Sequence, residues 1–404
     1  MPMREVDFML NYVLDYHPKV SDINVSVGRP LQVEIDGSLI PVELPVALPV
    51  LTPFQTETFA LQLLNNDRRH TRALLEAGSA DLSYAVGDRA RFRINIFSTR
   101  GNYAVVMRRL PTSIPTLEEM SLPPVLGGMV EEKNGLILVT GATGSGKSTT
   151  LAAVLRKINQ TRAIHVVTLE DPVEFVHLPE MATFNQRELG LDFDTFEHGL
   201  RAALRQAPKV ILVGEMRDRA TIEIALHAAE TGHLVLSTLH TIDAGQTINR
   251  LIGMFEQTEA QLIRGRLASM LRWTVSQRLL PKIGGGRLAV LEIMHTNLRV
   301  QDSILHGESD GKTFYEIIAA GEAGGAKVFD MQTFDRSIIQ GYRDGLITEQ
   351  TALGYASQRA IVRRGIDEFK YAMGIQEDEL GVTLALDEEY EQKMFESRQQ
   401  VGAR

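Results

Sequence analysis

Residues 135–149 read GLILVTGATGSGKST, an unbroken apolar run that leads into a glycine-rich stretch ending in lysine, serine and threonine. Gly141 to Ser148 has the spacing G-x-x-x-x-G-K-[ST]; the apolar run predicts a strand before it, and STTLAAVLRKIN predicts a helix after it. Glycines let the backbone wrap closely around a phosphate chain, and the helix contributes the positive end of its dipole. A structural turn is the alternative, but the lysine, the serine and both flanking elements favour a phosphate-binding loop.

This stretch, called the phosphate loop below (residues 141–148), predicts which residues would hold a nucleotide. Lys147 would pair with the β- and γ-phosphates of ATP, and the Ser148 hydroxyl would bind Mg²⁺. We therefore expect ATP and Mg²⁺ as cofactors. The candidate nucleotide-binding residues are Gly141, Ala142, Thr143, Gly144, Ser145, Gly146, Lys147, Ser148 and Thr149.

Further apolar runs predict the sheet to which the loop belongs. They lie at 135–141, 165–170, 210–215, 233–240 and 288–294, and helical segments separate most of them. Continuous apolar runs are typical of strands buried on both faces, so the sequence predicts a parallel or mixed α/β sheet.

Acidic residues end two of these runs. Glu215 ends the run at 210–215, where a carboxylate can orient the attacking water or hold Mg²⁺ through water. Glu170 ends the run at 165–170, and ligands of open α/β sheets bind at such carboxyl ends. The alternatives are a solvent-facing glutamate at 215 and, in TLEDPVEF (168–175), acidic residues that serve only as caps or turn formers.

Two histidines bracket the strand predicted in GHLVLSTLH (232–240). The helical segment at 219–232 is long enough for a crossover, so this strand should lie beside the strand that ends at Glu215. His240, with Ser237 and Thr238, would then lie near the γ-phosphate, where we expect a functional role. His233 would lie about 20 Å away at the other end of the strand. We expect a structural or subunit-contact role for His233, and a hydrogen-bonded core histidine is the alternative for both.

The residues before the phosphate loop predict a separate α+β domain. Apolar spacing predicts a helix at 4–16, short strands between 21 and 43, one helix at about 54–76 and a hairpin around a turn at 100–102. After residue 296 the pattern is helical. The predicted organisation is an α+β N-terminal domain at 1–110, a Pro-rich linker or hinge at 111–124, an α/β core at 125–295, a helical region at 296–365 and a charged tail at 366–404.

Arginines cluster on the two strands of the predicted hairpin. Arg93 and Arg108 flank its turn, with Arg91 and Arg109 beside them, so guanidinium groups can be presented on one rim. Arginine stabilises charge on a transferring phosphoryl group, often from a neighbouring domain or subunit. Spacing alone leaves this role and a solvated strand face equally open.

Composition narrows the class of protein. The 404 residues include no cysteine, which excludes disulfides and thiolate metal sites and fits a reducing cytoplasm. No stretch has the ~18 unbroken apolar residues of a membrane span, and the start of the chain does not read as a signal peptide. The net charge of −9 argues against a nucleic-acid partner.

Four segments together resemble the secretion ATPase superfamily, specifically the type IV pilus retraction ATPases of the twitching-motility type (PilT-like, with PilU-like proteins as close relatives). The resemblance spans roughly residues 4–350 and is most specific over 136–250. The segments are GATGSGKSTTLAAVL, TLEDPVEFVH, the stretch from Leu200 to Thr241, and MQTFDRSI.

The resemblance implies a PAS-like N-terminal domain, a RecA-like core and C-terminal helices, with six copies in a ring and the nucleotide between the two domains. Glu170 and Glu215 match the family's catalytic carboxylates, and which of them is the general base stays open. Arg93 and Arg108 match its arginine fingers. Such a motor would act on an inner-membrane pilus platform protein from the cytoplasmic face of the inner membrane, without nucleic acid.

Departures from the family's pattern leave the exact role open. The stretch HTNLRVQDSIL (295–305) lacks the proline and the Ala-Ile-Arg-Ala-Gly form usual there, and Asp330 stands where glycine is typical. The chain is therefore expected to retract pili either alone or as an accessory, PilU-like motor beside a paralogous ATPase. A pilus-assembly or type II secretion ATPase is disfavoured, because those carry extra N-terminal domains and usually a four-cysteine zinc site.

Overall fold

The structure, a computed structural model, describes residues 5–35, 37–43, 50–111, 113–309, 311–323 and 331–373. The chain divides into two compact units, each with its own core. The first comprises Met1–Ile114 and Pro172–Val176, and the second comprises Pro115–Asp171 and His177–Arg404.

The first unit is built on a six-stranded antiparallel sheet of order β3-β2-β1-β6-β5-β4. Its strands are β1 (Asp22–Val25), β2 (Gln32–Ile35), β3 (Ser38–Pro41), β4 (Ser79–Val86), β5 (Ala90–Thr99) and β6 (Asn102–Leu110). Its helices are α1 (Glu5–Tyr16), α2 (Pro53–Leu64) and α3 (Arg68–Ala77). The predicted hairpin is therefore confirmed as β5 and β6.

Alternation along β5 gives this sheet one apolar and one polar face. Phe92, Ile94 and Ile96 are fully buried in the core of the unit, whereas Arg93 between them is exposed. Successive side chains of a strand point to opposite faces, so Arg108, the hairpin arginine that pairs with Arg93, shares its polar face.

The single helix predicted at 54–76 is wrong, since two helices occupy this stretch. Asn65 and Asn66 have φ angles of +48° and +61°, in the left-handed region that ends a helix. Asp67 then accepts hydrogen bonds from the backbone N–H groups of Arg69 and His70 and so caps α3. The polar residues of this turn therefore end one helix and start another, although the apolar spacing alone predicts a single helix.

The second unit contains a seven-stranded sheet of order β13-β12-β7-β11-β10-β8-β9. All neighbouring strands run parallel except β12 and β13, so the predicted mixed sheet is confirmed. The strands are β7 (Gly135–Thr140), β8 (His165–Glu170), β9 (Thr183–Glu188), β10 (Val210–Val213), β11 (Leu234–Leu239), β12 (Leu271–Pro281) and β13 (Arg287–His295).

Helices pack on this sheet and continue beyond it. They are α4 (Gly128–Glu131), α5 (Lys147–Thr161), α6 (Phe196–Ala203), α7 (Arg219–Glu230), α8 (Ala244–Ile252), α9 (Ala260–Met270), α10 (Leu298–His306), α11 (Phe314–Ala323), α12 (Phe334–Arg343), α13 (Glu349–Tyr355) and α14 (Arg359–Ala372). Helix α14 continues through the buried Ile366, where we expect the charged tail to begin, and most of that predicted tail lies outside the described residues. None of the described helices is long and apolar enough to cross a bilayer.

Candidate nucleotide-binding and catalytic site

The phosphate loop joins β7 to α5, as the sequence predicts. Gly141, Gly144 and Gly146 have φ angles of +142°, +78° and +89°, which side chains other than glycine rarely adopt. A Cβ atom at Gly141 would lie 2.4 Å from the carbonyl oxygen of Gln277, and one at Gly146 would lie 2.7 Å from its Nε2 atom. Glycine is therefore required at these two positions for steric as well as conformational reasons.

The phosphate loop contains a buried, positively charged side chain, that of Lys147. The Nζ atom of Lys147 donates to the carbonyl oxygens of Gly141 and Ala142 at 2.9 and 3.0 Å, and the lysine is only 8% exposed. Gly146 precedes α5 without a side-chain cap, so the first N–H groups of the helix are not bound by a capping side chain. This combination fits a bound phosphate.

The other residues of the loop differ in exposure. Among the described residues, the buried Ser145 hydroxyl has no hydrogen-bond partner. Ala142, Thr143, Gly144 and Ser148 are exposed, and Thr149 is half-buried. The exposed residues are accessible to a nucleotide and its metal ion, whereas the side chain of Ser145 belongs to the interior of the loop.

Glu215 lies next to His240, a contact that follows from the order of the strands. Strand β11 pairs with β10 on one side, as the sequence predicts, and with β7 on the other. The Oε1 atom of Glu215 lies 3.2 Å from Nε2 of His240 and 2.7 Å from Nε of Arg217. Burial alone would raise the pKa of Glu215, but the hydrogen bond from Arg217 and the charges of His240 and Arg217 outweigh it and lower this pKa.

The backbone before Glu215 is fixed by the neighbouring strands. A Cβ atom at Gly214 would lie 3.1 Å from the carbonyl oxygen of Leu169, so a side chain here would require the neighbouring strand to move by a few tenths of an ångström. The Ser237 and Thr238 hydroxyls donate to the carbonyl oxygens of Val213 and Gly214 at 2.7 and 2.6 Å. We expect these hydroxyls near the γ-phosphate, and within the chain they hold the end of β10.

Glu170 ends β8, and hydrogen bonds hold its carboxylate. Its Oε1 atom accepts hydrogen bonds from the Thr168 hydroxyl at 2.6 Å and from Nε2 of Gln186 at 3.2 Å. Gln186 lies on β9, which the sequence analysis missed because TFNQRE has no apolar run. A polar strand at the edge of a sheet leaves no signal of the kind that identified the central strands.

His233 lies at the opposite end of β11 from His240. Its Nδ1 atom lies 3.0 Å from the carbonyl oxygen of Ala228 and 3.3 Å from the Thr231 hydroxyl, both at the end of α7. His233 therefore stabilises the turn between α7 and β11, which agrees with the structural role expected for it.

The hairpin arginines of the first unit have different partners. Arg93 and Arg108 are paired in the register of β5 and β6, and Nε of Arg108 lies 2.9 Å from Oδ1 of Asp22. Arg109 donates to the carbonyl oxygen of Pro18, and Arg91 donates to that of Val173. The side chain of Arg93 is exposed and makes no hydrogen bond or ion pair with a residue in the described ranges.

No group of three or more acidic or histidine side chains suited to a metal ion occurs in the described part of the chain. The residues that we expect around Mg²⁺, Ser148 and Glu215, are one exposed hydroxyl and one carboxylate of lowered pKa. Both are oxygen donors, which is the chemistry that Mg²⁺ prefers.

Comparisons with known proteins bear on this site. Residues 58–363 match the family model of type II/IV secretion system proteins. The chain is 40% identical over 332 residues to the type IV pilus retraction ATPase PilT of Pseudomonas aeruginosa, covering 82% of this chain and 93% of that protein. It is 37% identical over 338 residues to the type IV pilus ATPase PilU of the same organism, covering 83% of this chain and 85% of that protein.

A solved structure gives the same relationship. The crystal structure of the pilus retraction motor PilT with bound ADP matches with a TM-score of 0.79 at 38% identity, over 89% of this chain and 99% of that one. The match confirms the predicted fold class, a PAS-like α+β domain followed by a RecA-like core and C-terminal helices. The chain belongs to the type II/IV secretion system protein family and, within it, to the type IV pilus retraction ATPases.

Proposed function

We propose that this chain hydrolyses ATP at the phosphate loop and that this hydrolysis drives the retraction of a type IV pilus. One observation carries the proposal. The phosphate loop, His240, Glu215 and Glu170 follow or end four neighbouring parallel strands, β7, β11, β10 and β8. The carboxyl ends of parallel strands meet at one edge of a sheet, where α/β proteins bind ligands.

The two carboxylates suit different steps. Glu215 faces two basic side chains and has a lowered pKa, which makes it a weak base but a good anchor for a polarised water. The contacts of Glu170 include hydrogen bonds from a hydroxyl and an amide. We assign the general base to Glu170, which would accept a proton from the attacking water, and the orientation of that water to Glu215. His240 would respond to the γ-phosphate through its contact with Glu215.

Ser148 and Glu215 are the residues that would hold magnesium. The Ser148 hydroxyl would bind the ion directly and Glu215 would bind it through water, whereas Lys147 would leave the loop carbonyls and pair with the phosphates. The ion supplies positive charge that neutralises the phosphate oxygens.

Arg93 and Arg108 are proposed as trans-acting arginines. They are paired residues of β5 and β6 and both are exposed on the first unit, which suits them to a phosphate bound by another copy of the chain. We propose a ring of six copies in which ATP closes each N-terminal domain on a neighbouring core about the Pro-rich segment 111–124. Domain closure of this kind is a hinge motion.

The pilus machinery supplies the remaining partners. We propose that the ring works in the cytoplasm, at the inner face of the inner membrane, on a pilus platform protein. A PilU-like accessory role beside a paralogous ATPase is the second candidate, because the chain is 40% identical to PilT and 37% identical to PilU. The departure at 295–305 favours neither role by itself.

A turnover assay tests the proposed enzyme. We expect the purified chain to release phosphate from MgATP and Lys147→Ala to release none, because that variant lacks the phosphate-binding ammonium group. Arg109→Ala, whose guanidinium donates to the carbonyl oxygen of Pro18, serves as the control and should keep its activity. A wild-type rate in Lys147→Ala would overturn the proposed site.

A complementation assay tests the biological role. A strain that lacks this chain should fail to retract pili, and the chain should restore retraction when expressed alone if it is the main motor. Restoration only in the presence of a paralogue would support the accessory role. Retraction that is normal without this chain and without the paralogue would exclude both.

A further inference from the structure

Gln277 occupies an unusual position for a polar side chain. It lies on β12, the strand next to β7, and it is 1% exposed. Burial of an amide is unfavourable unless its N–H and C=O groups find partners. The N–H and C=O groups of the Gln277 amide both have hydrogen-bond partners in the segment that forms the phosphate loop and the start of α5.

The two hydrogen bonds of this amide are short and buried. Its Nε2 atom donates to the carbonyl oxygen of Ser145 at 2.7 Å, and its Oε1 atom accepts from the hydroxyl of Thr150 at 2.7 Å. Ser145 lies within the loop, and Thr150 lies in the first turn of α5 and is fully buried. One side chain therefore ties the loop and the helix start to the same strand.

Close backbone packing adds to this link. The carbonyl oxygen of Gln277 and its Nε2 atom are the nearest atoms to the positions that Cβ atoms would take at Gly141 and Gly146. Gln277 thus lies against both ends of the loop. The adjacent Ser276 accepts a hydrogen bond from the Thr140 hydroxyl at 3.0 Å, just before the loop begins.

We propose that Gln277 is a positioning residue that holds the phosphate loop in the conformation that binds nucleotide. This inference rests on the proposed function. The N–H groups that would face the phosphates lie on the backbone whose carbonyl group at Ser145 is fixed by Gln277. A loop fixed before the ligand arrives binds more tightly, because less ordering is required on binding.

Gln277→Glu tests the donor half of this link. A carboxylate cannot donate to the carbonyl oxygen of Ser145 but can still accept from Thr150, whereas a protonated carboxyl can do both. We expect the affinity for N-methylanthraniloyl-ADP to fall about tenfold or more at pH 8 and to recover as the pH is lowered toward 6. A general loss of packing would not produce recovery of binding on acidification.

Thr150→Val tests the acceptor half and serves as the second variant if Gln277→Glu does not fold. We expect a loss of affinity of about fivefold or more at every pH between 6 and 8, since no titratable group is introduced. Thr274→Val is the matched control, because the buried Thr274 hydroxyl on the same strand has no hydrogen-bond partner among the described residues. The affinity of Thr274→Val for N-methylanthraniloyl-ADP should equal that of the wild type.

Each outcome decides one question. Reduced affinity with an unfolding midpoint close to that of the wild type supports the positioning role. Wild-type affinity over the whole pH range in Gln277→Glu, or in Thr150→Val if the first variant is not folded, overturns it. A wild-type chain that binds no nucleotide would refute the proposed function instead, since the inference concerns only how strongly the loop binds.

Discussion

Arg93 and Arg108 lie directly opposite each other on β5 and β6, and Asp22 lies opposite Arg108 on the other side, on β1. Like charges at paired positions destabilise a sheet. Asp22 forms an ion pair with Arg108 and so offsets part of this repulsion. Of these two paired arginines, Arg108 has an acidic partner and Arg93 has none among the described residues, so Arg93 suits an anionic ligand from outside the chain.

Arg93→Ala should abolish ATP turnover while nucleotide affinity stays within several-fold of the wild type, because the guanidinium would act on the phosphate of another copy. Mixing Arg93→Ala with Lys147→Ala should restore part of the turnover. In mixed rings, an intact phosphate loop can meet an intact Arg93. The measurement is phosphate release by each variant alone and by the mixture.

The control for this mixture is Arg93→Ala combined with the double variant Arg93→Ala/Lys147→Ala, which offers no intact arginine and should remain inactive. If the first mixture is as inactive as its components although both variants assemble, the trans-acting role of Arg93 is wrong.

Arg217→Ala should change how turnover depends on pH. Burial raises the pKa of Glu215, and the hydrogen bond from Arg217 is the foremost contact that lowers it. Without that contact the pKa of Glu215 rises, so the carboxylate is protonated at a higher pH and the acidic limb of the profile of kcat moves upward. Arg217→Lys keeps a positive charge there and should leave the limb closer to its original position. If the acidic limb of the kcat profile lies at the same pH in Arg217→Ala as in the wild type, the ionisation of Glu215 does not determine that limb.

Gly214→Ala should lower turnover severalfold, because a shift of a few tenths of an ångström in the backbone before Glu215 would misplace a group that the proposed reaction needs. The added methyl group would meet the carbonyl oxygen of Leu169 at 3.1 Å and Cα of Glu170 at 3.4 Å, and would push apart the strands that carry the two carboxylates. Overpacking of this kind costs about 1–3 kcal/mol of unfolding free energy.

A glycine with open space around it provides the comparison for Gly214. Gly265 lies in α9, and no atom lies within 4 Å of the place where its Cβ would be. Gly265→Ala should keep full turnover and stability, because alanine is the better helix former. Equal activities of the two variants would show that the strand spacing at Gly214 does not matter for catalysis.

Glu292→Gln should make the protein more stable at pH 8 and leave its stability at pH 5 nearly unchanged. Burial raises the pKa of Glu292 to about 7, against a backbone hydrogen bond from Ala244, with Asp243, Arg278 and Asp335 as the charged groups nearby. The folded protein therefore retains a proton that the unfolded chain loses above its ordinary pKa, so stability falls as the pH rises from about 4.5 to about 7.

Glutamine keeps the oxygen that accepts from Ala244 and has no proton to lose. We expect a gain of about 1–3 kcal/mol at pH 8. Urea denaturation at several pH values measures it. Parallel stability curves for the wild type and the variant between pH 5 and pH 8 would contradict the prediction.

The sequence predicted the central strands and the phosphate loop because both have strong local signals. Strands β7, β8, β10 and β11 are buried on both faces and read as unbroken apolar runs. The loop has a fixed spacing that its chemistry requires. These two kinds of signal were enough to indicate that Glu170, Glu215 and His240 would lie at one edge of the sheet.

Strand β12 could not be predicted from an apolar run, and the reason is physical. Buried polar residues, Thr274, Ser276 and Gln277, interrupt its apolar character, and two of them bind in and just before the phosphate loop. The same polar residues that support the site thus remove the apolar pattern by which the strand could be predicted. Contacts between residues more than 100 positions apart, such as that of Gln277 with Ser145, have no signature in a single sequence.

The hydroxyls of Ser237 and Thr238 extend the support of β10 past the last ladder pair, so the main chain before Glu215 is anchored to both neighbouring strands. The side chain of Glu215 is held only by other side chains, those of Arg217 and His240, among the contacts described above. In the proposed enzyme, the carboxylate could therefore exchange these partners for water or nucleotide while the strand that carries it stays in place.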